Sequence, residues 1–239
     1  MKTIGLLGGM SWESTATYYR LINQQTRMRL GGLHSAELLL WSFDFSQIEL
    51  LLARGEWEEA GSLLKQAAHK LESAGADCIV ICANTMHKVA SYIQDGLTIP
   101  FIHIAETTAT AIQKVKRRKP LLLATRYLME HDFYVKRLEE LHGMSVVVPD
   151  NGGQAVVHDI AYNELCRGQI NEDSRRTLLQ IVRKAQDQGA DSVILGCTEL
   201  GLLVGQEDIS APVIDSTTEH VRGILDFALK KESEFEDLI

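Results

Sequence analysis

With 239 residues, 45% of them hydrophobic and 23% charged, the chain has an ordinary globular composition and enough length for one large core or two small ones. A net charge of −8 without any basic stripe argues against nucleic acid as a partner. No apolar run approaches the ~20 residues of a membrane span, and no secretory pattern opens the chain, so no membrane partner is expected. The four cysteines lack CxxC or His–Cys metal spacing, which reads as reduced thiols in a cytoplasmic protein.

Thr3–Leu7 reads as a short apolar strand, followed by Gly8-Gly9-Met10-Ser11. Ser11 is a suitable N-cap, with Glu13 in the first turn of a helix running towards Met28. Two glycines let a ligand approach the backbone, and a helix start favours an anion. The stretch has neither GxGxxG nor a Gly-Lys-Ser/Thr phosphate loop, so a carboxylate fits it better than a nucleotide. Ala36–Trp41 reads as a second strand. From Glu56 to Ser73 a helix places Ala60, Leu63, Leu64, Ala67 and Leu71 on one face and stops at Gly75. Next come the strand Cys78–Cys82, the polar tip Ala83-Asn84-Thr85-Met86-His87, a helix ending near Asp95-Gly96, and a strand over Pro100–Ile104. The basic run Lys114–Lys119 reads as a solvated helix end.

The pattern then begins again. Pro120–Thr125 resembles the first strand with its small-residue exit, Asp132–Leu141 is a helix, Ser145–Val148 a strand, and Asp173–Gln188 a helix stopped by Gly189. Gly189-Ala-Asp-Ser-Val-Ile-Leu-Gly-Cys-Thr-Glu199 repeats Gly75-Ala-Asp-Cys-Ile-Val-Ile-Cys-Ala-Asn-Thr85 at an offset of 114 residues. Cys197 falls opposite Ala83, and Thr198 opposite Asn84. Pro212–Asp215 echoes Pro100–His103 before a closing helix. Alternating strands and helices imply parallel sheets with right-handed crossovers. The recurrence implies an internal duplication: an α/β protein of two similar halves, residues 1–100 with 213–239 and residues 101–212. The carboxyl ends of the two sheets are expected to face each other, with 83–85 opposite 197–199 across a cleft.

Two acid/base groups on opposite sides of one carbon can remove a proton from one face and return it to the other. Cys197 at a strand exit suits this work, since a thiol responds strongly to helix N-termini and nearby donors. Asn84, Thr85 and Thr198 are placed to bind a carboxylate and the charge that develops beside the reacting carbon. No metal, pyridoxal phosphate or flavin motif is present, so no cofactor is expected.

Gly-Gly-Met at residues 8–10, Asn84-Thr85-Met86-His87 and Gly196-Cys197-Thr198-Glu199 together resemble the cofactor-independent aspartate/glutamate racemases, over essentially the whole chain. The resemblance implies two α/β halves related by a pseudo-twofold axis, a homodimer, and a small-molecule amino acid as substrate. It implies a catalytic pair, one cysteine directly before Asn-Thr and another within Gly-Cys-Thr. Cys197 matches the second, which in that family faces the α-proton of the L-isomer; Ala83 stands where the first belongs and has no proton to give or take. Leu128 replaces a frequent threonine, and the arginine that some members use for the side-chain carboxylate has no counterpart between Glu49 and Leu52. Arg54 and Arg167 are the nearest cations in sequence.

The expectation is therefore a racemase of a small L-amino acid, impaired or one-sided. Cys197 and position 83 are its catalytic sites, and Met10, Asn84, Thr85, Thr198 and Glu199 its substrate contacts. Glu199, next to the thiol, would raise its pKa, and is expected to point away or to orient the substrate amino group. Cys82 should face away from Ala83, into the core; the alternative is that it stands in as the acid/base group missing at 83, a task otherwise left to water. Asn84 and Thr85 are expected to cap the next helix as well, His87 to lie on a helix surface, and His103 and Asp215 to be structural. A cofactor-free decarboxylase or isomerase of the same superfamily, or a binding protein without turnover, are the alternatives.

Overall fold

The structure, a computed structural model, describes residues 1–230. The chain divides into two compact units: Met1–His103 together with the stretch from His220 onward, and Ile104–Glu219.

Unit 1 opens with β1 (Ile4–Gly8) and α1 (Trp12–Leu30), capped as its sequence suggests: Ser11 Oγ accepts from Ser14 N–H at 3.2 Å. Then come β2 (Leu38–Ser42), α2 (Phe45–Ala53), α3 (Trp57–Ser73), β3 (Cys78–Ile81) and, after a 3-10 turn over Thr85–Val89, the short α4 (Ala90–Gln94). The strands pair in parallel in the order β2-β1-β3. Side chains alternate across this sheet with a period of two, as a strand requires. Leu7, Ile79 and Ile81 pack with Ile48 of α2 and Leu64 and Leu71 of α3. Ile4, Leu6, Cys78, Val80 and Cys82 share the opposite face with Tyr18 and Ile22 of α1 and with Val221, Ile224, Leu225 and Ala228.

Unit 2 comprises α5 (Ile104–Lys114), β4 (Pro120–Leu123), α6 (Arg126–Glu130), α7 (Phe133–His142), α8 (Asn151–Asp159), α9 (Glu172–Asp187), β5 (Ser192–Leu195) and β6 (Val213–Asp215). A single π turn over Ile160–Glu164 extends α8. The sheet order is β4-β5-β6, again parallel, over one core built from Leu121–Leu123, Val193–Leu195, Leu178, Val182, Tyr134 and Leu138. The closing helix α10 (Ser216–Ala228) starts in unit 2, and its residues from His220 onward belong to unit 1.

Two expected strands shrink. Pro100–Ile104 makes one parallel bridge, Ile79 to Phe101, and Ser145–Val148 makes one, Leu121 to Val147. Ile104 already begins α5, and the prolines at 100 and 149 supply no ladder N–H, so neither stretch can extend its pairing. With those bridges included, each sheet has the same order of four parallel segments. Sequence reading missed α2, α6 and α8. Among the described residues no helix is long and apolar enough to cross a membrane.

Candidate functional site

The sequence-identified residues gather at the carboxyl ends of adjacent strands in each unit. In unit 1, Met10 follows β1, and Ala83, Asn84 and Thr85 follow β3, its neighbour in the sheet. The glycine turn after β1 is fixed by hydroxyls. Gly9 has φ +84 and donates its N–H to Thr15 Oγ1 at 2.8 Å, and that hydroxyl donates to the Ser11 carbonyl at 2.8 Å. A side chain at Gly9 would run into the backbone of Phe43. Ser14 donates to the Cys82 carbonyl at 2.8 Å, tying the start of α1 to the end of β3. Ser14 and Thr15 were legible only as residues of a helix start; their reach to Cys82 and Gly9 depends on strand pairing.

Ala83 is buried, and its methyl lies in the cluster with Ile79 and Ile81. Cys82 points into the opposite cluster, where burial pushes its thiol far up, which makes it a core residue. The capping role expected of Asn84 is absent. Its backbone is already helical, at φ −65 and ψ −50, and its side chain makes no cap bond; its carbonyl instead accepts from His87 N–H at 3.1 Å. His87 is not a surface residue either: it is buried, with Nδ1 2.9 Å from the Ala83 carbonyl. The wall formed by α2 is apolar, with Ile48, Leu51 and Leu52 buried, while Arg54 is exposed at the end of the helix.

In unit 2, Gly196, Cys197, Thr198 and Glu199 follow β5, the central strand. Glycine at 196 is needed: a Cβ there would come within 2.9 Å of Ala124 Cβ and 3.1 Å of Leu122 and Leu128 side-chain atoms. Leu128 is fully buried in this core. Cys197 is 8% exposed, and its thiol donates to Glu199 Oε2 at 2.8 Å. Glu199 therefore points at the sulfur and not away from it. Burial first, and the Glu199 charge second, push the thiol well above its ordinary value. The sulfur holds its proton at neutral pH, with an acceptor aligned to take it. Asp215, at the end of β6, is also pushed up by burial, and it accepts from Thr218 N–H at 2.6 Å at the start of α10. That makes it a helix cap, consistent with a structural role. Arg167 is exposed.

The arrangement in unit 2 is a thiol–carboxylate pair able to accept a proton from a weak acid, beside a threonine. The arrangement in unit 1 is a small, largely buried tip with an amide and a hydroxyl and no ionisable group at position 83. Among the described residues no group of three or more His, Cys, Asp or Glu is placed to hold a metal ion.

Comparison with known proteins gives a consistent picture. The family described as Asp/Glu/hydantoin racemase matches residues 7–224. A candidate Asp/Glu racemase from Yersinia pestis has the same fold with a TM-score of 0.93 and 49% identity, covering 96% of this chain and 100% of that one. An aspartate racemase homologue from Pyrococcus horikoshii OT3 follows at a TM-score of 0.87 and 35% identity, with 96% and 100% covered. The broad specificity amino-acid racemase RacX of Bacillus subtilis is 26% identical over 215 residues, 90% of this chain and 92% of that one.

Proposed function

The chain belongs to the Asp/Glu/hydantoin racemase family, and from that premise we propose that it is a cofactor-independent racemase acting on a small L-amino acid through Cys197. The observation that carries this reading is the 2.8 Å hydrogen bond from the Cys197 thiol to Glu199 at the exit of the central strand of unit 2. Glu199 accepts the thiol proton, and the thiolate then takes the α-proton of the L-isomer, forming S–H and leaving a carbanion at the α-carbon. A thiol whose pKa is raised is seldom ionised, but its thiolate is a stronger base, which suits a weak carbon acid. Met10, Asn84 and Thr85 of unit 1, with Thr198, hold the α-carboxylate, and donors aimed at it stabilise the charge that develops next to it.

Ala83 makes the chemistry unequal. A carbanion formed on the Cys197 side is reprotonated from that side after the thiol has traded its hydrogen with solvent, which exchanges the α-hydrogen without inversion. Inversion needs a proton from the other side, and alanine at 83 leaves that delivery to water. Exchange outpaces racemisation. This reading requires the two strand-end clusters to act on one α-carbon, the arrangement that the family resemblance implies, together with a homodimer in the cytoplasm.

The test is α-proton exchange in D₂O with L- and D-glutamate and L- and D-aspartate supplied separately, and with Cys197→Ser alongside. The expected result is exchange into an L-isomer, lost in Cys197→Ser, with slower appearance of the D-isomer. Exchange into none of the four substrates, or exchange that survives in Cys197→Ser, would overturn the assignment. Release of CO₂ from a dicarboxylate would point to the decarboxylase chemistry instead.

A further inference from the structure

Three histidines meet in the interior of unit 1, and none of them belongs to the chemistry above. His87, His103 and His220 are 2%, 4% and 0% exposed. The ring of His87 lies 4.7 Å from that of His103 and 5.5 Å from that of His220, edge to face in both cases. Phe101 closes one side, 5.7 Å from His87 and 5.9 Å from His103. The ionisable groups facing His87 are His103 and His220, and Tyr18 of α1 faces His220.

Hydrogen-bond partners assign the protons. His87 Nδ1 lies 2.9 Å from the Ala83 carbonyl, which can only accept, so Nδ1 carries the hydrogen. His220 Nε2 lies 2.8 Å from the Ile102 carbonyl, so in that ring Nε2 carries it. A neutral His220 then has a bare Nδ1, and the Tyr18 hydroxyl at 2.8 Å donates to it. Burial favours the neutral form of both rings, so their carbonyl partners give them opposite tautomers. A cation here would stand among rings a few ångströms away, cut off from water.

Each histidine also stands at a different strategic point of the chain. His87 grips the carbonyl immediately before Asn84 and Thr85. His103 is the residue at which the chain leaves unit 1, and His220 the residue at which it returns. Through the Ile102 carbonyl, the returning segment is bonded to the departing one.

We propose that His87 is a positioning residue for the Ala83–Asn84–Thr85 tip, kept in its Nδ1–H form by a neutral histidine cluster that also ties together the two places where the chain enters and leaves unit 1. This rests on the reading that the tip binds the substrate carboxylate. The cluster sets where the Asn84 and Thr85 donors lie, and it does so without touching substrate. A displacement of the tip by a fraction of an ångström to an ångström weakens the hold on the carboxylate and is enough to lower kcat/KM by an order of magnitude or more.

The test has an arm that needs no variant and no activity. Long-range proton–nitrogen spectra of the ¹⁵N-histidine-labelled wild-type chain should show His87 in the Nδ1–H form and His220 in the Nε2–H form, neither titrating down to about pH 5, where an ordinary histidine is already protonated. The second arm compares His87→Asn, whose amide can donate to the same carbonyl, with His87→Leu, which fills the space without a donor. In the D₂O exchange assay His87→Leu should lose about tenfold or more in kcat/KM through a raised KM, while His87→Asn stays within about threefold of wild type. His87 found in the Nε2–H form, or a folded His87→Leu that exchanges like wild type, overturns the proposal. If His87→Leu does not fold, the Asn variant and the wild-type tautomers decide. Wild-type chain inactive on every substrate while showing the expected tautomers would count against the racemase reading and not against the cluster.

Discussion

Acidification from about pH 7 to about pH 4.5 is expected to loosen unit 1 through its buried histidines. His220 is fully buried, which holds its imidazole at about 4 against an ordinary 6.5, the Ile102 carbonyl pulling weakly the other way. The unfolded chain therefore takes up this proton first. Stability is intact above the unfolded value and is lost as pH falls through the window from 6.5 to about 4. A difference of 6.5 minus about 4 corresponds to about 3 kcal/mol in full, of which roughly 2 has gone by pH 4.5. His87 shifts in the same direction, from burial and then from His103 and His220, and adds to the loss. Set against a total of roughly 5–15 kcal/mol for a domain, this is a large fraction. The competing groups separate by range and sign. Glu72, Asp95, Asp132 and Asp150 are held below their ordinary values by hydrogen bonds, so their losses come at lower pH. Asp215 of unit 2 is raised by burial; its contribution is present below its ordinary value and fades as pH rises, so acid does not weaken unit 2 through that group. All three tryptophans, Trp12, Trp41 and Trp57, lie in unit 1, which makes their fluorescence a probe of that unit. Urea melts followed this way should show the midpoint falling by roughly 1–2 M between pH 7 and pH 4.5. His220→Gln, whose amide can still donate to Ile102, should flatten that dependence. A wild-type midpoint that moves by less than about 0.3 M would refute the reasoning.

Three further outcomes follow from the site geometry. Glu199→Gln removes the charge that raises the Cys197 thiol, so alkylation by iodoacetamide should reach half-maximum at lower pH, while α-proton exchange falls by about a hundredfold for want of the acceptor; unchanged exchange would dissolve the pair. Ala83→Cys places an acid/base group on the second side and should raise D-isomer formation by about a hundredfold, measured by polarimetry; a variant no faster than wild type would contradict the two-sided scheme. Gly9→Ala forces a side chain into a left-handed backbone and against Phe43, and should cost at least about 2 kcal/mol in urea unfolding, with substrate binding weakened alongside through Met10.

Local signals carried much of this architecture. Ser11 before an amphipathic run, glycines at 75 and 189 with φ +98 and +91, and the repeated Gly-Ala-Asp strands led to α1, α3, α9, β3 and β5 directly. The period-two alternation separated Cys82 from Ala83 before any packing was known. Other features depended on partners distant in sequence. Asp44 caps α2 through its side chain, yet the short helix behind it lacks the length that makes a periodic pattern legible. Asp150 does the same for α8, where Gly152 and Gly153 read as loop. The direction of the Glu199 effect on the thiol followed from charge alone, but which way its side chain turns did not. His87 read as exposed because what buries it is Phe101, His103 and His220, none of which its own helical turn announces.

The core of unit 1 is completed by Val221, Ile224, Leu225 and Ala228, and Lys2 N–H donates to the Ala228 carbonyl at 2.9 Å. On a ribosome this sets an order of events. Every strand of unit 2, with its contiguous core, emerges while one face of β1 and β3 has α1 against it but not yet α10. An apolar surface containing Ile4, Leu6, Val80 and Tyr18 must wait in the nascent chain until α10 arrives, its first residue, Ser216, 135 positions after Ile81 at the end of β3. Unit 2 can mature first as an insert, and the hydrogen bond that joins His220 to the Ile102 carbonyl is then among the last contacts to form. Slow synthesis through residues 104–219 prolongs the period in which the unfinished unit depends on chaperones.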